Sequence, residues 1–112
     1  MTQKDPQVYI EHMLDCIDRI DEYVDGDREQ FFNSRLVQDA VVRNLQTLAE
    51  SSQRLPEPMK INQPEIPWRD ISGFRNILVH DYLGLDLEMI WSVVDQDLPA
   101  LHRALERMQD RK

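Results

Sequence analysis

Apolar residues recur along this chain every three or four positions, and no stretch alternates apolar with polar at every second one. That period belongs to helices that bury one side. Ile10, Met13, Leu14, Ile17, Ile20 and Val24 form the first stripe, which stops at Gly26. Asp5 and Pro6 supply an N-cap and a proline at the first helical position, so the first helix is expected over residues 6–24. Asp27 or Ser34 can cap a second helical region, with Phe31 and Phe32 in a short lead-in turn and Val37, Val41, Leu45 and Leu48 as its stripe, running to about Leu55.

Four of the six prolines fall at 56, 58, 64 and 67, which predicts a loop and no helix between Pro56 and Pro67. Such a loop either crosses the surface, the reading preferred here, or borders a cleft. Pro67 then suits the first turn of a third helix, whose Trp68, Ile71, Phe74 and Leu78 make a buried stripe before the pattern ends near Gly84. Asp86 caps a fourth, with Leu87, Ile90, Trp91, Val94, Leu98, Leu101, Leu105 and Met108 in line. Pro99 lies within that last pattern and is expected to kink it, because it removes the bond to the carbonyl of Asp95. The fold expected is all-α, an antiparallel bundle of four main helices forming one domain over residues 1–112.

Composition narrows the chemistry. A single cysteine, Cys16, allows no internal disulfide and is expected as a small core residue, and three scattered histidines offer no metal-site spacing. No metal or cofactor is expected. No apolar run exceeds three residues and the N-terminus is polar, so the chain reads as a cytoplasmic protein with no membrane segment. The net charge of −8 argues against a general nucleic-acid coat. Its distribution is uneven: residues 1–30 carry −6, residues 31–80 +1 and residues 81–112 −3. Nucleic acid is therefore expected at a local cleft holding Arg69 and Arg75, and the acidic first helix either serves a basic partner or is a solvated face.

The candidate chemistry lies in the non-acidic stretch and just beyond it, in Arg75-Asn76-Ile77-Leu78-Val79-His80 followed by Asp81 and Tyr82. His80, titrating near neutrality, can take the proton from a ribose 2′-hydroxyl as that oxygen attacks the adjacent phosphorus. Only RNA carries that nucleophile. Arg75 is always charged and forked, so it can hold two phosphate oxygens and stabilise charge in the transition state. Asn76 can orient the imidazole or bind phosphate, and Asp81 can hydrogen-bond nearby. At 100° per residue Asn76 and His80 lie about 40° apart, Arg75 and Tyr82 about 20°, and Arg75 and His80 about 140°. The wide angle between Arg75 and His80 makes a two-fold dimer, with helix three facing a shared cleft, the easier way to assemble one site. Gly73, one turn earlier, is expected to pack its helix tightly on a neighbour; the alternative is a close approach by a phosphate.

Trp68-Arg69-Asp70 leading into Arg75-Asn76-Ile77-Leu78-Val79-His80-Asp81-Tyr82 resembles the Arg-x4-His-x-Tyr signature of the HEPN ribonucleases, and within them the HepT toxins paired with a minimal nucleotidyltransferase antitoxin. The similarity of layout extends over nearly the whole chain, including the proline-rich loop and Leu83-Gly84-Leu85-Asp86 before the last helix. The resemblance implies a homodimeric endoribonuclease of a type VII toxin–antitoxin system. Arg75 and His80 would be its catalytic residues, RNA its substrate, and an MntA-like nucleotidyltransferase its partner, silencing it by attaching AMP to Tyr82. An AMP group there would set an anion beside Arg75 and compete with RNA. Two other readings are a non-catalytic helical adaptor for a nucleotidyltransferase and a nucleotide-binding subunit of one.

Overall fold

The structure, a computed structural model, describes residues 5–80 and 86–109, with the backbone alone over 75–80. Those residues are almost wholly helical and include no strand. The elements are α1 (Pro6–Val24), α2 (Arg28–Asn33), α3 (Arg35–Ser52), α4 (Glu57–Ile61), α5 (Trp68–His80), α6 (Leu87–Ser92), a π-helical turn (Val93–Asp97) and α7 (Leu98–Met108).

The first helix matches the expected 6–24. Asp5 accepts the backbone N–H of Gln7 at 2.9 Å, and the helix ends on Asp25 and Gly26, both left-handed at φ 48° and 66°. Aspartate tolerates that conformation and glycine adopts it freely, so the chain turns there at little cost. The second region departs from expectation because both candidate caps are used. Asp27 accepts from Gln30 N–H at 2.9 Å and Ser34 from Val37 N–H at 3.2 Å, which makes two helices where one with a lead-in turn was expected. Ser34 is extended between them, and the Gln38 amide donates to the carbonyls of Phe31 and Phe32 that the end of α2 leaves open. α3 stops at Ser52, short of Leu55, in tight turns from Ser51 to Arg54 and from Ser52 to Leu55. Leu55 precedes Pro56, and a residue in that position is pushed out of the helical region.

The segment between Pro56 and Pro67 is not all loop. Glu57–Ile61 forms a short helix with Pro58 in its first turn, where a missing N–H has no intrahelical partner to lose. Asp86 caps α6 through Met89 N–H at 3.0 Å, as expected. The disruption expected at Pro99 takes the form of the π-helical turn immediately before it, in which the N–H of Leu98 bonds back five residues to Val93. Widening the turn by one residue makes room for the proline ring, which an ordinary helix would drive into a carbonyl.

α3 packs on α1 along one flank and on α5 along the other, and α7 closes against α1. Ile10, Met13, Ile17 and Ile20 of α1 meet Val41, Leu45 and Leu48 of α3, Ile71 of α5, Ile90 of α6 and Leu98, Leu101 and Leu105 of α7 in one core. Each such side chain withdrawn from water contributes about 1.5–3 kcal/mol before entropy is charged against it. Phe31, fully buried, extends this core between the rings of Phe32 and Trp91, 5.3 and 5.5 Å away. Cys16 is buried in α1, and burial, reinforced by Asp15 and opposed by Arg19, pushes its thiol up to about 11. It is an unreactive core residue, as expected.

Candidate active site

α5 carries the motif, and its first half is fixed from three sides. Trp68 Nε1 donates to the carbonyls of Lys60 and Gln63 at 3.1 and 3.2 Å, which ties α4 and the following loop to the start of the helix. Arg107 of α7 holds the same loop by donating to Gln63 at 2.9 and 3.2 Å and pairing with Glu65. The hydroxyls of Ser72 and Ser52 meet at 3.2 Å, locking α5 to the end of α3. Ile71 and Phe74 turn into the core beside that contact.

Along α5 opens a cleft of about 500 Å³ between this helix and the π-helical turn, lined among others by Arg69, Asp70, Gly73 and Phe74 on one wall and by Met89, Val93 and Asp97 on the other. Pro67 stands at its edge, so the proline-rich segment does reach a cleft at its last residue. Phe74, Met89 and Val93 make the floor apolar. A Cβ added at Gly73 would meet nothing within 4 Å, so the tight packing expected of this glycine is not what the described residues show; it leaves space in the cleft wall. Burial pushes the Asp97 carboxyl above its ordinary range, and the charge of Asp70 pushes it further. Both aspartates are exposed, and neither accepts a hydrogen bond or forms an ion pair with a protein group among the described residues, although Arg69 shares the cleft.

Arg69 lines this cleft as expected, but with two aspartates for company, so its described lining is not the cationic cradle that the charge distribution suggested. Counting charge along the chain could not foresee this, because Asp97 comes from the acidic last third and is brought over by the π-helical turn. Arg75, Asn76 and His80 all lie on the α5 backbone, on one continuous helix, as expected. Of their side chains nothing is described. Asp81 and Tyr82 lie outside the described residues. The helical repeat sets positions 69, 73, 76 and 80 within about 60° of one another, so the edge of α5 that borders the cleft leads along the helix to His80. Asp70 stands out in the sequence only as part of Trp68-Arg69-Asp70 and not as a cleft residue, and Asp97 does not stand out at all; the one signal pointing to the second was Pro99, two residues on.

The described residues include no group of three or more side chains suited to a metal and no helix long and apolar enough to cross a membrane. The model of the family described as Ribonuclease HepT-like matches residues 13–108. The chain is a member of the HepT-like ribonuclease family. Its all-α fold and the position of its Arg-x4-His span on one helix accord with that membership, which carries RNA as the class of substrate. Among relatives, a protein of Thermococcus cleftensis named "Probable ribonuclease HepT" is 33% identical over 102 residues, 90% of this chain and 93% of that one. A protein of Methanocaldococcus jannaschii with a provisional RNase name is 29% identical over 107 residues, 95% of this chain and 98% of its own length. Another from that organism, whose name joins a gamma-glutamylcyclotransferase to a provisional RNase, is 34% identical over 109 residues; the HepT-like chain covers 96% of itself there but spans only 49% of that relative. No solved structure gives a significant match.

Proposed function

We propose that this protein is the toxin of a toxin–antitoxin pair, an endoribonuclease that cleaves RNA without a metal. In this reading His80 takes the 2′-hydroxyl proton, Arg75 holds the phosphate, and Asn76 and Asp81 support them. The observation that carries the reading is the Arg75–His80 span on a single helix in a chain of the HepT-like ribonuclease family. The chemistry suits the residue types. A general base near neutrality is worth roughly 10²–10⁴-fold, and a fixed cation acts where charge accumulates on phosphorus-bound oxygen. Attack by the 2′-oxygen breaks the bond to the 5′-oxygen of the next nucleotide, which takes up a proton from solvent and leaves as a 5′-hydroxyl, and the other fragment ends in a 2′,3′-cyclic phosphate.

Because positions 75 and 80 diverge by about 140° on one helix, the site is completed in a homodimer, each cleft drawing on both chains. Tyr82 is the acceptor for AMP from a partner nucleotidyltransferase, which silences the enzyme by occupying the phosphate position. Expression of the wild type without a partner should arrest growth and degrade RNA, and His80→Ala should do neither. Co-expression with the nucleotidyltransferase should restore growth and add AMP mass to the wild type but not to Tyr82→Phe. Full toxicity of His80→Ala would remove the catalytic assignment. Equal rescue of both proteins with no added mass would remove the role of Tyr82.

A further inference from the structure

The cleft beside α5 has a composition that phosphate binding does not explain. Two exposed carboxylates at its rim would repel a phosphate, and neither accepts a hydrogen bond from a described protein group, so both are open to a donor on a ligand. Beneath them, Phe74, Met89 and Val93 offer an apolar floor against which a flat ring can stack. The volume of about 500 Å³ lies within the range of small-ligand sites, as does the pattern of an apolar lining with a few convergent polar groups. Gly73 keeps the wall on the α5 side open, since any side chain there would project into this space. The opposite wall is the π-helical turn, a local irregularity that brings Asp97 to the rim and that in helices often marks a functional site.

From this arrangement we infer that the cleft is a nucleobase subsite selective for guanine, in which Asp70 and Asp97 accept the N1–H and N2–H donors of the base while its ring lies on Phe74, Met89 and Val93. Guanine alone among the four RNA bases presents adjacent imino and amino donors on one edge, the complement of unpartnered carboxylate oxygens. The donors also offset the repulsion between the two aspartates. Gly73 and His80 are seven residues apart on α5, about 10 Å along its axis, so the guanine is a base flanking the scissile bond and not the one whose ribose reacts. The inference rests on the ribonuclease reading for its biological sense, but the binding it describes needs no catalysis.

The test uses the full-length protein and pentamers of uridine with one central variable base, made once with 2′-O-methyl sugars that cannot be cleaved and once with ordinary ribose. The central base is guanine, inosine (guanine without its amino group), 7-deazaguanine (the same donor edge, altered elsewhere) or adenine. Anisotropy should show guanine and 7-deazaguanine binding alike and about tenfold more tightly than inosine or adenine. Asp70→Asn and Asp97→Asn should each weaken guanine: the one that removes the acceptor for N2–H should bring guanine down to inosine and leave inosine where it was, and the other should weaken both. The preference should persist in EDTA. Equal binding of guanine and inosine, a preference that neither variant changes, or one that vanishes in EDTA would each overturn the inference. Cleavage of the ribose pentamers without guanine selectivity in binding or cut position would leave the ribonuclease reading standing and remove the subsite. Guanine-selective binding with no cleavage of any pentamer would keep the subsite and remove the ribonuclease reading.

Discussion

α1 and α3 cross the molecule in single strokes of 19 and 18 residues, whereas the chain from Leu87 to Met108 makes a comparable journey in three pieces with a π-helical turn between α6 and α7. The first pair is regular because nothing in it conflicts. Side-chain caps start both helices, and their apolar stripes face each other without a proline inside them. In the second segment the same core-facing stripe continues, but Pro99 forbids an unbroken helix through it. The regular half supplies burial and little chemistry. The irregular half keeps its burial and also turns Asp97 towards α5, so the cleft exists because a local rule is broken there.

The sharpest way to break this division is in the regular half. Leu45→Ala empties a fully buried site of α3 and should cost about 2–5 kcal/mol in chemical unfolding. Activity per folded molecule should be unchanged. Pro99→Ala attacks the other side of the comparison. With the ring gone, the π-helical turn is free to relax to an ordinary helix, so stability should rise by up to ~3 kcal/mol. Asp97 then rotates away from the cleft and guanine selectivity falls. Loss of stability with selectivity intact would show that the proline does not shape the cleft.

Ser34→Ala has a smaller effect, about 1 kcal/mol lost, since it removes the hydroxyl that caps α3 at Val37 while Asp27 still caps α2. Asp97→Asn should have the smallest effect on stability, and one that depends on pH. The folded protein holds the Asp97 proton more tightly than the unfolded chain does, so this group costs stability as pH rises from about 4 through its raised folded value. The amide cannot ionise. The variant should therefore melt slightly higher than wild type at pH 7, by less than ~1 kcal/mol for so exposed a pair, and level with it at pH 3.

Much of the fold was legible in the sequence, and the reasons are local. Asp5-Pro6, Gly26 and Asp86 act within one turn of themselves, and the stripes of α1, α3 and α7 name residues that are in fact buried, save Val37 and Met108 at the ends of theirs, which are half-buried. What was illegible also has local causes. α4 was hidden because its prolines sit at a helix start, where they are tolerated, and the split between α2 and α3 was hidden because two good caps seven residues apart read as alternatives. At the site, the residue types of the Arg75–His80 span were visible in the chain, and its placement on a helix followed from period alone. Asp70 and Asp97 could not be joined by reading, since they lie 27 positions apart and come to line one cleft only in the folded chain.

The central claim is that His80 and Arg75 make this protein a ribonuclease using the substrate's own 2′-hydroxyl, and end-group analysis tests it most directly. Purified protein is incubated in EDTA with a single-stranded RNA and with the same strand carrying 2′-deoxyribose at each cut position, and the products are weighed by mass spectrometry. The account predicts fragments ending in 2′,3′-cyclic phosphate from the RNA, no cleavage of the deoxy-substituted strand, and no products from His80→Ala or Arg75→Ala. Cleavage of the deoxy-substituted strand, or cyclic-phosphate products from His80→Ala at the wild-type rate, would contradict it.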